Sequence, residues 1–324
     1  MPTLRDVAKL AGVSHTTASH VLNGTKRVRP EVVDRVWAAV ETLKYRLNRP
    51  AQALRRGQSH ILGLVLPDLT NPFFPGLAQA IGLAVRKAGY ALNLVDSLED
   101  GAVEAEGLSR LAEEQVAGAI WVPVGTYVPP PFPVVLLDRT TEGADGVEAD
   151  HFLGGQLQAR HALDLGHQRV GLLSGPQSLR SARLRREGFL AEAETGGLEV
   201  VWEEEVPFSL KLSPRARARL RAIRNKEITL VVAANDVIAV AALEVLREAG
   251  IRVPEEVSLV GYDDIPWATL VHPPLTTVRQ PMKEMAEAAI ALFLRRLQEP
   301  GGEAVRIVLP VTLIPRGSTQ EVKQ

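Results

Sequence analysis

The chain has 324 residues, 46% hydrophobic and 23% charged, an ordinary globular composition with room for two or three domains. It contains no cysteine, which excludes a disulfide framework, a cysteine nucleophile, an iron–sulfur cluster and any thiolate zinc site. The net charge of −1 divides unevenly: residues 1–60 hold 11 Lys/Arg against 4 Asp/Glu (+7), and residues 61–324 hold 26 against 34 (−8), the pattern of a nucleic-acid-binding module joined to a separate body.

The first 45 residues read as short helices. Thr3 with Asp6 forms a variant capping box, and Leu4, Val7, Ala8 and Ala11 fall on one helical face that Gly12 ends. Ser14 is an N-cap for a second helix running to about Asn23. Its Ala18, Val21 and Leu22 face inward, which leaves His15, Thr16, Ser19 and His20 facing out. Pro30 suits the first position of a third helix with Val32, Val33, Val36, Val40 and Leu43 as its apolar stripe.

Residues 46–60, RLNRPAQALRRGQSH, are basic and poor in large apolar side chains. Pro50 suits the start of a short helix that Gly57 ends, but about eight isolated residues do not hold a helix in water. The segment is either a loose linker or a helix that forms only when docked.

From residue 60 the pattern changes. Apolar runs at 61–66, 90–95, 118–122, 133–138, 169–174, 228–234 and 257–262 are separated by helix-period segments near 76–88, 101–115, 152–165, 181–195, 213–225, 236–250 and 281–298. This βαβ alternation predicts parallel sheets covered on both faces, and about 260 residues of it predict two doubly wound subdomains. Ligands of such sheets bind beyond the carboxyl ends of the strands, here Asp138-Arg139, Ser174-Gly175, Asn235-Asp236 and Tyr262-Asp263-Asp264 among others.

Catalytic signatures are missing. There is no P-loop, no dinucleotide-binding glycine fingerprint and no H-E-x-x-H, and Ser174 in Gly171-Leu-Leu-Ser-Gly175 stands one position too late for a nucleophile elbow. The seven histidines have no compact metal-ligand spacing. No catalytic residue, cofactor or metal is therefore expected. Asp263-Asp264 reads as a binding carboxylate or a helix cap. No apolar run approaches ~18 residues and the N-terminus has no secretory core, so a cytoplasmic protein without membrane contact is expected.

The string TLRDVAKLAGVSHTTASHVLNG, followed by VRPEVVDRVWAAVETLKY and NRPAQALRRGQSHILGLVLPDLTNPFF, resembles the LacI/GalR family of bacterial transcription regulators. LLDR (136–139), LGHQRVGLLSGP (165–176), ARLRREGF (182–189), VPEEVSLVGYDD (253–264) and PPLTTVRQP (273–281) extend the resemblance over nearly the whole chain. It implies an all-α helix-turn-helix head over 1–46, a hinge over 47–60, and an α/β body over 61–320 of the periplasmic-binding-protein-like type I fold. The body would consist of one subdomain formed by 61–149 and 279–303 and another formed by 150–278 and 304–320, with crossings near 150, 278 and 305. The segment after Arg316 lacks heptads, so a homodimer on a double-stranded palindromic operator is expected.

The family motifs carry roles onto individual positions. His15, Thr16 and His20 match base-reading residues; Ser14, Thr17 and Asn23 suit phosphate; Arg5 suits either; Tyr45 and Asn48 match backbone-contacting positions. Leu54 matches a leucine that wedges into the minor groove and kinks the duplex. Ala18 stands where a valine is usual. Arg29 stands where a serine commonly caps the third helix, and is read as a phosphate contact. The effector candidates are Phe73, Phe74, Asp138, Ser181, Arg185, Phe208, Asn235, Asp263 and Gln280, a set of paired polar groups and aromatic faces suited to a sugar. Phe73 and Phe74 cannot both face a cleft. The S-x-T-T-x-S-H helix is most similar to the family's purine-responsive members, but Leu179 stands where those carry an arginine for the nucleobase. The leading expectation is a repressor of sugar-utilisation genes controlled by a small-molecule effector. A sugar sensor that does not read DNA, and an α/β enzyme with a basic appendage, are the competing readings.

Overall fold

The computed structural model of the chain describes residues 2–23, 26–45, 59–223 and 227–322. Two compact units result, Met1–Ser59 and His60–Gln324.

The first unit holds α1 (Leu4–Ala11), α2 (His15–Asn23) and α3 (Pro30–Leu43). Both arms of the Thr3–Asp6 capping box form, and Gly12 ends α1 at φ +63°, a left-handed backbone that glycine adopts without strain. Ser14 caps α2, its hydroxyl accepting from Thr17 N at 3.0 Å. Val7, Ala11, Val36 and Ala39 form the core, with Val21, Leu22, Leu43 and Tyr45 packed on it. Ala18 is also fully buried.

The second unit contains two six-stranded sheets. The first comprises β1 (Ile61–Leu66), β2 (Ala91–Asp96), β3 (Gly118–Trp121), β4 (Val134–Leu137), β5 (Asp145–Ala149) and β11 (Arg306–Leu309), in the spatial order β11-β5-β4-β3-β1-β2. The second comprises β6 (Arg169–Ser174), β7 (Glu199–Glu205), β8 (Leu230–Ala233), β9 (Ser258–Asp263), β10 (Thr276–Arg279) and β12 (Thr312–Ile314), in the order β12-β10-β9-β8-β6-β7. Every described pairing is parallel except β10 with β12. Parallel strands require covered faces. The Phe73–Lys87 and Met282–Gln298 helices cover one face of the first sheet, and Gly101–Glu113 covers the other. His151–Asp164 and Arg180–Gly196 cover one face of the second sheet; Pro214–Arg221 and Asp236–Glu248 cover the other.

The chain passes from sheet to sheet three times: after Ala149, between Arg279 and Met282, and between Leu309 and Thr312. The third passage corrects the expectation of a crossing near 305. Residues 306–309 pair with β5, Arg306 opposite Gly146 through Leu309 opposite Ala149, so they belong to the first sheet. The apolar residues of this strand would suit either sheet; the parallel ladder to β5 decides which one takes them.

Candidate functional site

In the head, Arg5, Ser14, His15, Thr16 and Arg29 are exposed, and Thr17, His20 and Tyr45 are half-buried. Ser14 Oγ lies 2.8 Å from Thr17 Oγ1, so both hydroxyls are held at the start of α2. Arg29 precedes Pro30 with no side-chain cap, in keeping with the absence of a short acceptor there. Tyr45 packs its ring on the core, which fixes where its hydroxyl leaves the surface. Asn48, Leu54 and the side chain of Asn23 lie outside the described residues.

In the body, four candidates converge. Asp138 follows β4 at φ +62°, Asp263 ends β9 at φ +110°, Arg185 projects from the Arg180–Gly196 helix, and Gln280 lies in the second passage between the sheets. Arg185 is brought in by a close helix crossing. A Cβ on Gly155 would lie 2.0 Å from the Arg185 carbonyl oxygen, and one on Gly188 would lie 2.0 Å from that of Phe152. Only glycines permit this approach.

The contacts form one chain. Asp138 Oδ1 lies 3.0 Å from His151 Nε2, and Arg185 Nε donates to His151 Nδ1 at 3.3 Å. Arg185 Nη1 donates to the Ala234 carbonyl at 2.7 Å, and Nη2 lies 3.2 Å from Asp263 Oδ1. The same Asp263 oxygen accepts from Gln280 Nε2 at 2.7 Å. The Arg185 guanidinium lies 3.7 Å from the centroid of the Tyr262 ring, a cation–π contact, and 5.8 Å from that of Phe208. All members of the chain are buried, and among the described residues Gln280 Oε1 has no hydrogen-bond partner.

This burial sets the charges. Burial pushes the Asp138 carboxyl up, but the His151 hydrogen bond and the nearby charges, Arg185 and Arg139 included, outweigh it and hold the group below the ordinary carboxylate range. Burial, aided by Arg185, keeps His151 below the ordinary imidazole value despite Asp138. Asp263 is pushed up to about 6 by burial, against the pull of Arg185 and Gln280. Behind it, burial and the Asp263 charge raise Asp236, whose carboxylate accepts from Thr277 Oγ1 at 2.6 Å and from Ile265 N at 2.9 Å.

The remaining candidates are placed differently. Asn235 uses Oδ1 to cap the Asp236–Glu248 helix, accepting from Ile238 N at 2.8 Å. Ser181 is buried one turn before Arg185. Phe208 is half-buried over Gly175. Phe73 and Phe74 are both buried in the core cluster against the first sheet, rings 5.2 Å apart and edge to face. The phenylalanine pair is thus foremost a packing unit. Its burial follows from the following Leu77 and Ile81, which continue the same apolar face.

Sequence reasoning missed His151, and it placed Tyr262 only as a strand end, without its contacts to Arg185 and His151. Asp150-His151 reads as a helix start, and Asp150 does cap that helix. The partners of His151 lie 13 and 34 residues away, a separation no local motif reveals. Sequence reasoning also missed the Glu148 cluster. Buried Glu148 accepts from Thr140 and Arg180, both at 2.6 Å, and from Arg306. Arg180 belongs to the second sheet's helix and Glu148 to β5, so this pair ties the two halves together. Among the described residues no group of His, Asp and Glu is placed to hold a metal ion, and no helix is long and apolar enough to cross a membrane.

Two family descriptions match this architecture: "Bacterial regulatory proteins, lacI family" over residues 3–48 and "Periplasmic binding protein-like domain" over residues 159–319. The ribose operon repressor of Bacillus subtilis is 36% identical over 325 residues, covering 99% of each chain. The chain belongs to the LacI family of bacterial transcription regulators. Its fold is similar to that of the lac repressor dimer solved with operator and the anti-inducer ONPF, with TM-score 0.84, 28% identity and coverage of 98% of this chain and 99% of that one. A LacI-family regulator from Enterococcus faecium solved with bound ribose matches with TM-score 0.71 and 29% identity, covering 81% of this chain and 100% of that one. As a LacI-family regulator, the chain pairs a DNA-binding helix-turn-helix head with a two-sheet effector body.

Proposed function

We propose that this chain is a dimeric repressor that reads a palindromic operator with α2 and is released by a ribose-like monosaccharide bound where Asp138, Arg185, Asp263 and Gln280 meet. The observation that carries the reading is their convergence: two carboxylates, a guanidinium and an amide from both sheets lie in one buried hydrogen-bonded chain. Carboxylates accept from adjacent hydroxyls while the guanidinium and amide donate to them, and Gln280 Oε1 is an acceptor still to be satisfied. Ribose operon repressors among the relatives, and ribose in a structural neighbour, support a pentose.

His15, Thr16 and His20 read base edges, Arg5 meets either a base edge or a phosphate, and Arg29, Ser14, Thr17, Asn23, Tyr45 and Asn48 hold the backbone, with Leu54 as the wedge at the operator centre. The ligand acts by linkage. If it prefers one closure of the two sheets, it shifts DNA affinity by its differential affinity for the two states. The body binds its ligand without transforming it, and the regulator acts in the cytoplasm, where its operator is.

The test is fluorescence anisotropy with a palindromic fragment from upstream of the protein's own operon, with and without D-ribose, and with a purine base as control. Nanomolar binding relieved by ribose alone supports the reading. Ribose binding without operator binding returns the sensor reading, relief by the purine base overturns the sugar, and consumption of ribose restores the enzyme. Leu54→Ala is expected to weaken operator binding far more than non-specific binding; equal losses remove the wedge.

A further inference from the structure

His151 is 1% exposed at the start of its helix, and it touches groups delivered by both sheets. Arg185 Nε–H only donates, so His151 Nδ1 must accept and the ring proton must sit on Nε2, directed at the Asp138 carboxylate. The Tyr262 hydroxyl, 3.4 Å from Nδ1, closes the ring from a third side. The imidazole is therefore a neutral relay between an anion that follows β4 of the first sheet and a cation on a helix of the second. A protonated ring would turn an N–H toward Arg185, and burial together with Arg185 opposes that form.

We propose that His151 is a positioning residue of the effector site: by joining Asp138 to Arg185 through one neutral ring, it fixes the spacing with which these two groups meet adjacent ligand hydroxyls, and so ties ligand affinity to the closure of the two sheets. This rests on the monosaccharide reading above. The residue acts through its two neighbours, and a ring that served packing alone would be replaceable by any planar side chain of similar size. Phenylalanine offers that shape with neither the donor nor the acceptor. Glutamine offers a donor and an acceptor without the ring.

The experiment uses the full chain with ¹⁵N-labelled histidine and three variants, His151→Phe, His151→Gln and Asp138→Asn. Nitrogen–proton correlation spectra should show His151 neutral with its proton on Nε2. Calorimetric titration with D-ribose should give a dissociation constant about 10–100-fold higher for His151→Phe, the usual effect of losing hydrogen bonds to charged groups, with partial recovery in His151→Gln. A proton on Nδ1, or an unchanged ribose affinity in the folded His151→Phe protein, overturns the proposal. If wild-type protein binds no ribose, the sugar reading falls and the relay is judged separately. In that case the thermal-unfolding effects of His151→Gln and Asp138→Asn should be non-additive if the relay exists, and additivity overturns it.

Discussion

The head and the body use their basic side chains in opposite ways. Arg5, Lys9, Lys26, Arg27, Arg29, Arg35 and Lys44 make no ion pair among the described residues. In the body one arginine after another is matched to a carboxylate: Arg139 to Glu99, Arg180 and Arg306 to Glu148, Arg185 to Asp263, Arg215 and Arg219 to Glu204, Arg296 to Asp145, and Arg316 to Asp264. An unpaired surface cation is available to neutralise a phosphate and release a counterion, whereas a paired one must first break its partnership. The +7 and −8 of the two regions therefore differ in kind as well as in sign.

The sharpest break of that contrast is at Arg185. Arg185→Leu leaves Asp263 buried beside Gln280 without its counter-charge, and should destabilise the body by about 3–5 kcal/mol in chemical denaturation. A loss below about 1 kcal/mol would mean that the pair is not structural.

Asp263 tests the same contact through pH. Its folded value of about 6 is above the ordinary 3.8, so the folded state keeps a proton that the unfolded chain has lost. The stability linked to that proton is full below about 4 and gone above about 6. Asp263→Asn lacks this step, so its stability relative to wild type should improve by up to about 3 kcal/mol from pH 4 to 7. A pH-independent difference contradicts the assignment.

Arg180→Met cuts the tie from Glu148 to the second sheet but leaves Arg306 in place. A cost of about 1–2 kcal/mol is expected, with a broader spread of inter-sheet distances by spin labelling. In the head the signs reverse. Arg29→Ser supplies the missing cap of α3 and should stabilise the isolated head by up to about 1 kcal/mol, while lowering the salt slope of operator binding by about 1. An unchanged slope shows that Arg29 meets no phosphate.

The parallel core was legible because its strands are apolar on both faces: β1 and β6 begin and end where the Val/Ile/Leu runs do. The charge-bearing strands were not. β7 reads EVVWEEE and β5 reads DGVEA, and their carboxylates look like loop until arginines arrive from elsewhere: Arg186 at Glu203, Arg215 at Glu204, Arg296 at Asp145. The site followed the same rule. Asp138, Arg185, Asp263 and Gln280 sit in motifs and were readable one by one. Their mutual spacing and the histidine between them depend on a helix crossing at Gly155 and Gly188, which exists only in the folded chain.

The strands β11 and β12 are separated by Pro310 and Val311 alone, yet each is the outermost strand of a different sheet. A premature stop codon just ahead of Arg306 would therefore strip both sheets at once. It would leave β5 and β10 as raw edges open to pairing with another chain, and it would remove the Ser318 hydroxyl that Thr276 N and the Leu259 carbonyl use. Genetically, that single lesion should phenocopy loss of the entire sensing half, with aggregated protein and operators no longer answerable to any metabolite.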